Sequence, residues 1–228
     1  FPLQSVAVRM EFLRVSHISK SYKDTFVLKD INVLVSKGER IAISGETGSG
    51  KTTLLKTIGG WIQPDEGSVI FNGERVKGPG EQLFPGHPRM AYLSQHFELR
   101  NKYRVIEELD YARKLSSERA AQIFRICRID HLLQRYTNEL SGGERQRIAA
   151  AKALIGGAEI FLLDEPFSNL DQHHLIWMQE LIESVSRELH ITTLLVDHEP
   201  DHILPWADRI IVLRSGAIEQ TGNAVDIY

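Results

Sequence analysis

Two kinds of segment alternate along the chain. In one kind the pattern of apolar and polar residues is typical of strands, and in the other it is typical of helices. Short apolar runs bounded by Gly, Pro or charged residues predict buried strands. Apolar positions spaced by three or four residues over 172–190 predict an amphipathic helix packed on the core. Strands that alternate with helices favour a mainly parallel sheet with helices on both faces and ligands at the carboxyl ends of the strands. The predicted strands are 12–18, 26–35, 40–44, 68–71, 89–93, 159–163, 192–196 and 209–213. Further helices are predicted at 52–58 and after Ser141, the latter continuing through 148–154.

The segment 96–140 differs from the rest of the chain because it lacks strand-like runs and is rich in Glu, Arg, Leu and Ala. We therefore predict a helical subdomain here, inserted into a single domain that spans 10–228. The rest of that domain, 10–95 and 141–228, would hold the sheets and the binding site. Residues 1–9 precede the first methionine and are expected to be an added or disordered leader outside the fold.

The composition excludes several classes of protein. Of the 228 residues, 42% are hydrophobic, which is enough to bury a substantial core. The single cysteine, Cys127, excludes an internal disulfide and a multi-cysteine metal site, and no apolar run is long enough to cross a bilayer. A net charge of −3 gives no basic stripe of the kind that binds nucleic acid. We therefore expect a soluble, cytosolic protein that does not bind nucleic acid.

The glycine-rich segment GETGSGKT at 45–52 is the first candidate for chemistry. It follows an apolar strand and precedes a helix, which distinguishes a phosphate-binding loop from an ordinary glycine-rich turn. Its backbone N–H groups would surround the phosphates of ATP, Lys51 would reach the β- and γ-phosphates, and the Thr52 hydroxyl would ligate Mg²⁺. The predicted ATP-binding residues are Gly45, Glu46, Thr47, Gly48, Ser49, Gly50, Lys51, Thr52 and Thr53.

Two carboxylates follow a continuous apolar strand further along the chain. The run 160–163 ends in Asp164 and Glu165, which places both acids at the carboxyl edge of the predicted sheet. If this strand lies beside the one that precedes the phosphate loop, the acids reach the same site. Asp164 would then hold Mg²⁺, and Glu165 would orient and deprotonate an attacking water.

A second glycine-rich turn begins at Ser141 and precedes another helix. Ser141 is a good N-cap, and Gly142 and Gly143 remove side chains from the first helical turn. Such a helix start can bind an anion, and it can equally be a capped helix without a ligand. The residues by themselves leave both interpretations open.

In order and spacing these segments resemble the ATP-binding-cassette (ABC) ATPases, over nearly all of the chain from Met10 onwards. The resemblance implies an α/β fold of the P-loop NTPase (RecA-like) type, with a mainly parallel sheet core, an N-terminal antiparallel β-subdomain and an inserted α-helical subdomain. It is carried by Tyr22, the loop 45–52, YLSQ ending at Gln95, LSGGE at 140–144, FLLDEP at 161–166, SNLD at 168–171 and LLVDHEP around His198.

The resemblance also implies roles that the residues alone do not supply. Tyr22 would stack on adenine, or else it is a strand aromatic packed in a sheet. Gln95 would sense Mg²⁺ and the attacking water, so that it is both a catalytic and a metal-site residue. His198 would contact the γ-phosphate, and Asp171 would communicate across a dimer interface.

In this family the second glycine-rich turn closes over the ATP of another subunit, so two chains pair head to tail around two nucleotides. By resemblance, the signature residues that meet the partner's ATP are Ser141, Gly142, Gly143 and Glu144. Two positions depart from the family pattern. Glu144 stands where Gln is usual, which adds a negative charge near the turn, and Asp197 precedes His198 where Thr is commoner.

The implied function is that of the ATP-hydrolysing subunit of an ABC transporter. It would form a homodimer, or a heterodimer with a related ATPase, and would dock on integral membrane permease subunits at the cytoplasmic face of the membrane. Tyr92, Phe97 and Leu99 are candidate apolar contacts, with core packing as the alternative for each. The motifs do not specify the cargo or the direction of transport.

Other functions remain open at this stage to different degrees. The main alternative is a soluble ABC ATPase outside transport, of the iron–sulfur assembly type. A DNA-repair relative is disfavoured because the segment between Gln95 and Ser141 is too short for long coiled coils. A translation-type member would carry two cassettes, and a P-loop kinase needs neither LSGGE nor His198.

Overall fold

The computed structural model describes residues 11–23, 25–94, 99–168 and 170–227. The strands are β1 Leu13–Tyr22, β2 Thr25–Val35, β3 Arg40–Ser44, β4 Glu66–Phe71, β5 Glu74–Arg75, β6 Met90–Ser94, β7 Ile160–Asp164, β8 Thr192–Val196, β9 Arg209–Arg214 and β10 Ala217–Gly222. The helices are α1 Lys51–Ile58, α2 Val105–Ala112, α3 Ser117–Ile126, α4 Gly142–Ile155, α5 Gln172–Glu188, α6 Pro200–Ile203 and α7 Ala224–Ile227. Single 3-10 turns lie at Asp130–Leu132 and Thr137–Glu139.

The strands form two sheets. One is six-stranded in the order β10-β9-β3-β8-β7-β6, with parallel pairing throughout except for the antiparallel edge strand β10. The other is four-stranded and antiparallel in the order β2-β1-β4-β5. This combination confirms the predicted fold class, a mainly parallel core with an N-terminal antiparallel sheet.

The central strands are buried on both faces, as their unbroken apolar sequences predict. All five residues of β7 and all five of β8 are buried. Along β7, Phe161 and Leu163 pack in one cluster with α4 and α5, while Ile160 and Leu162 pack in a second cluster with α1 and the antiparallel sheet. The six-stranded sheet is therefore enclosed by a layer on each side, which fixes the loops at its carboxyl edge.

β8 lies between β3 and β7. The strand that precedes the phosphate loop and the strand that carries the two acids are thus not neighbours, contrary to the condition set at the sequence level. The two strand ends still face the same edge because all three strands run in parallel. The side chains of that edge have to reach across the end of β8.

The described part of the segment between β6 and α4 is built from helices and turns. Here α2 packs against α4, and the side chain of Glu108 on α2 is completely buried. Its carboxylate accepts a hydrogen bond from Arg100 Nε and another from Lys152 Nζ on α4, both at 2.6 Å. Burial raises the pKa of Glu108, but the bonds to Lys152 and Arg100 outweigh it and hold the pKa below its ordinary value. This buried ion triad ties α2 and the segment after residue 98 to α4.

Several element boundaries differ from the sequence-based prediction, and for two of them the backbone gives the reason. Helix α5 ends at Glu188, two residues early, because His190 adopts a left-handed conformation with φ of 54°. Strand β1 continues to Tyr22 beyond the predicted residue 18, past an irregularity at His17, because it pairs there with residues 25–28 of β2. No helix within the described ranges is long and apolar enough to cross a membrane.

Candidate functional site

The loop between β3 and α1 requires glycine at two positions. Gly45 has φ of 145°, and a Cβ there would lie 2.1 Å from the Leu213 carbonyl oxygen. Gly50 has φ of 103°, and a Cβ there would lie 2.5 Å from the Val27 carbonyl oxygen. Any other residue would strain the backbone and displace a neighbouring strand. The loop is therefore held closely against β2 and β9.

Lys51, the first residue of α1, lies along its own loop. Its Nζ donates to the Gly45 carbonyl at 2.7 Å and to the Glu46 carbonyl at 2.9 Å, and the residue is buried. Burial lowers the pKa of Lys51, while the charges of Glu165, Asp164 and Asp197 act in the opposite direction. The ammonium group is held at the mouth of the loop with carbonyl groups as its partners.

Thr52 and Asp164 join the loop to the end of β7. The Thr52 hydroxyl donates to Asp164 Oδ1 at 2.8 Å, and the Tyr92 hydroxyl donates to Asp164 Oδ2 at 2.6 Å. Burial, together with the hydrogen bond to Asp164 and its charge, raises the pKa of Tyr92. This contact brings the two sequence segments into one site across the end of β8.

Tyr92 is a site residue that the sequence did not reveal. It was a candidate surface contact or core residue, and the structure places its ring 5.2 Å from that of Trp61 and its hydroxyl on Asp164. Its position near the end of β6 could have indicated this role, because β6 pairs in parallel with β7 and its last residue lies level with Asp164.

Glu165 lies where three clefts meet. Its φ of 49° is rare for a residue with a side chain, and Ser168 Oγ donates to its carboxylate at 3.3 Å. One cleft of about 220 Å³ runs along the phosphate loop, a second of about 340 Å³ is shared with His198, and a third of about 300 Å³ is shared with Gly142 and Gly143. Glu165 therefore faces the loop, the histidine and the second glycine-rich turn at once.

Asp197 fixes the backbone around His198. Its side chain is almost completely buried, and Oδ1 accepts the backbone N–H groups of His198 at 2.6 Å and of Glu199 at 2.8 Å. Oδ2 lies 3.2 Å from Nδ1 of His202, whose ring packs on Phe167. The aspartate that departs from the family pattern thus anchors the turn that presents His198. The His198 side chain itself is half exposed.

The turn at Ser141 is closed by a capping box. Ser141 Oγ accepts the backbone N–H of Glu144 at 3.3 Å, and Glu144 Oε2 accepts the backbone N–H of Ser141 at 2.8 Å. Arg135 Nη1 donates to the other carboxylate oxygen at 2.8 Å. The Ser141 N–H and Arg135 hold the pKa of Glu144 below its ordinary value. The Glu144 carboxylate is therefore already hydrogen-bonded to Ser141 and Arg135 of its own subunit.

A protein-family model described as ABC transporter matches residues 28–168. The chain belongs to the ABC transporter family. Among curated proteins, the sulfate/thiosulfate import ATP-binding protein CysA of Mycobacterium tuberculosis is 36% identical over 223 residues, and that of Synechocystis sp. is 32% identical over 221 residues. The alignments cover 94% of this chain, and 62% and 61% of those relatives. The chain thus spans about three fifths of their length.

Solved ABC cassettes share the fold. The structure of cbiO1 from Clostridium perfringens, part of the ABC transporter complex cbiONQ, gives a TM-score of 0.81 at 25% identity and covers 95% of this chain and 90% of its own. The ATP-binding cassette MJ0796, solved as a dimer in a post-hydrolysis state with ADP and Pi, gives a TM-score of 0.76 at 25% identity and covers 93% of this chain and 98% of its own.

Among the described residues, the phosphate loop and the turn at Ser141 line different clefts, and Glu165 lines both. The cleft along the phosphate loop is lined by Thr47, Gly48 and residues 50–53 together with Val27 and Glu165, whereas the turn 141–144 contributes to the cleft near Asp171. Tyr22 is about half exposed at the end of β1, with Lys20 Nζ 5.4 Å from its ring centre. Gln95 and Phe97 lie outside the described residues.

The residues at the loop fit a nucleotide and Mg²⁺. Ser49 Oγ is buried and has no hydrogen-bond partner in the described part of the chain, which leaves a donor for a phosphate oxygen. The hydroxyl of Thr52 and the carboxylate of Asp164 already meet, and hard oxygen ligands with one or two carboxylates are what Mg²⁺ prefers beside phosphates. No cluster of three or more His, Cys, Asp or Glu side chains suited to a metal occurs among those residues.

Proposed function

We propose that this chain is the ATP-binding and ATP-hydrolysing subunit of an ABC transporter. The observation that carries the proposal is the Thr52–Asp164 hydrogen bond, which joins the phosphate loop to the acids at the end of β7. With Glu165 lining the same cleft, one site holds a phosphate-binding loop, a metal-binding pair and a candidate base. Family membership supports the same activity.

Nucleotide binding is assigned to the loop and its flanks. The backbone and side chains from Gly45 to Thr53 surround the phosphates, Lys51 exchanges its carbonyl partners for the β- and γ-phosphate oxygens, and Tyr22 stacks on adenine. Thr52, Asp164 and Gln95 would hold Mg²⁺. When bound there, Mg²⁺ neutralises part of the phosphate charge that develops during hydrolysis.

Hydrolysis is assigned to groups around Glu165. Its carboxylate orients the attacking water and accepts a proton from it, while Gln95 and His198 contact the water and the γ-phosphate. Asp197 supports His198 by fixing the two peptide N–H groups of the turn. Because the backbone of this turn is already fixed, less backbone entropy is lost when His198 contacts the phosphate.

Dimerisation completes the site, because the turn 141–144 contributes to a different cleft from the phosphate loop of its own subunit. In the proposed head-to-tail dimer, this turn closes over the partner's γ-phosphate and Asp171 contacts the partner subunit. The dimeric cassette MJ0796 supports this arrangement. Because Glu144 is engaged by Ser141 and Arg135, its charge does not oppose the phosphate.

The subunit is proposed to dock on separate integral membrane permease subunits, as a peripheral protein on the cytoplasmic face of the membrane. The import-protein names of the relatives support a transporter over an iron–sulfur assembly ATPase. A homodimer and a heterodimer with a related ATPase are both compatible with the proposed site. The ATP site makes no contact with cargo in this scheme.

The function is tested by ATP turnover of the purified chain and of Glu165→Gln. We expect Mg²⁺-dependent hydrolysis in the natural sequence and turnover lowered about 10² to 10⁴-fold in the variant, with nucleotide binding retained, because only the proton acceptor is removed. Glu118→Gln, on the exposed first turn of α3, is the matched control and should hydrolyse ATP normally. Equal turnover by Glu165→Gln and Glu118→Gln would refute the role of Glu165.

A further inference from the structure

His174 connects two elements of the proposed dimer site. It lies in the first turn of α5, whose N-cap is Asp171. Its backbone N–H donates to Asp171 Oδ1 at 2.9 Å, and its ring Nδ1 lies 2.8 Å from Asp171 Oδ2. Because an ionised carboxylate only accepts hydrogen bonds, Nδ1 carries the proton and the far nitrogen, Nε2, is directed away from Asp171. His174 is therefore held by both oxygens of one carboxylate, through its backbone N–H and through its ring.

The other side of the ring rests on the signature turn. A Cβ built at Gly143 would lie 1.7 Å from Nε2 of His174 and 2.3 Å from Cδ2. A side chain at position 143 would therefore overlap the ring unless the imidazole moved. Within the part of the chain that the structure describes, Nε2 has no hydrogen-bond partner. His174, Gly142, Gly143, Asp171 and Glu165 line one cleft of about 300 Å³.

We propose that His174 is a positioning residue that links Asp171 to the signature turn and holds that turn in the orientation that meets the partner's nucleotide. This inference rests on the proposed function. Two successive glycines at a helix start are conformationally free, and a Cβ at Gly142 would have no neighbour within 4 Å. The imidazole restricts that freedom from one side, so less entropy is lost when the dimer closes.

The experiment measures how much ATP is needed to form the dimer. In a Glu165→Gln background, which blocks turnover, the ATP concentration for half-maximal dimerisation is determined by sedimentation velocity. Adding His174→Ala should raise it about 10-fold, the size of effect expected when a hydrogen bond to a charged group is lost at a binding surface. The matched control is His173→Ala, an exposed histidine in the same helical turn, which should change it less than about twofold.

Two further measurements separate positioning from general support of the fold. Nucleotide affinity of the monomer should be unchanged in His174→Ala, because His174 does not line the phosphate-loop cleft. His174→Asn keeps a donor for Asp171 without the ring over Gly143 and should recover only part of the dimerisation. If His174→Ala weakens monomer nucleotide binding as much as dimerisation, the residue is structural and the proposal fails.

The outcomes also distinguish this inference from the proposed function. If Glu165→Gln does not dimerise at any ATP concentration, the proposed function is overturned and the inference with it. If Glu165→Gln dimerises and His174→Ala and His173→Ala shift the ATP requirement equally, only the role of His174 is overturned.

Discussion

Lys51, the residue proposed to bind the β- and γ-phosphates, is fixed by hydrogen bonds within its own loop. Its ammonium group is bonded to the carbonyl oxygens of Gly45 and Glu46, so it is both desolvated and held in place. Burial lowers its pKa, and the charges of the nearby carboxylates oppose that shift. A bound triphosphate would replace weak neutral acceptors by charged ones, which form stronger hydrogen bonds.

Lys51→Ala should therefore abolish productive ATP binding. We expect the affinity for a fluorescent ATP analogue to fall at least about 100-fold, since hydrogen bonds to charged groups contribute about 1.5–3 kcal/mol each. Lys114→Ala removes an exposed lysine after α2 and serves as the control in the same titration. An unchanged affinity in Lys51→Ala would show that the loop 45–52 does not bind the phosphates.

Individual residues were predictable from the sequence where a local motif determines their setting. Lys51, Thr52, Asp164 and Glu165 follow from the order of strand, loop and helix. The structure gives Tyr92 a place beside Asp164 that no local pattern specifies, because the contact joins β6 to β7. In the same way, the sequence marked Asp197 only as a departure from the family, since its partner His202 is reached through the fold of the turn.

At the scale of elements, the attachment of α2 to α4 depends on a buried charge. Glu108 accepts hydrogen bonds from Arg100 and from Lys152 on α4, and its side chain is fully buried. Because α4 begins at the signature turn, this triad helps to hold the helix that presents Gly142 and Gly143. Removing the charge would leave two cations without their shared partner.

Glu108→Gln should lower the free energy of unfolding at pH 7 by about 3 kcal/mol, the usual scale for breaking a buried ion pair. The folded-state pKa of Glu108 lies below its unfolded value of about 4.3, so its contribution is present above that pH and is lost as the pH falls through the folded-state pKa. Urea unfolding of both proteins across pH 3 to 8 measures it. A difference independent of pH would contradict the role of the carboxylate.

The elements themselves were predictable to different degrees. Strands β3, β7 and β8 are unbroken apolar runs, and the structure reproduces their predicted positions to within one residue. Strand β1 was cut short because its second half is polar, yet pairing with β2 extends it to Tyr22. The end of α5 depends on the left-handed backbone of His190, which a periodic apolar stripe does not reveal.

At the scale of the whole molecule, the order of the strands decides which motifs meet. The sequence predicts a parallel sheet but not that β8 lies between β3 and β7. With that order, Thr52 reaches Asp164 across the end of β8, and the turn at Ser141 contributes to a cleft other than the one along the phosphate loop. Two copies of the chain are needed before a signature turn can face a phosphate loop in the proposed mechanism.

The most direct test of this account is the mass of Glu165→Gln in solution, measured by sedimentation with and without nucleotide. With Mg²⁺ and ATP we predict a particle of about twice the 25.9 kDa chain mass, and a monomer with ADP or without nucleotide. Adding Ser141→Arg should prevent the dimer by crowding the turn, while leaving ATP binding at Lys51 nearly intact. The account is contradicted if the double variant still dimerises with ATP, or if Glu165→Gln stays monomeric with ATP at high protein concentration.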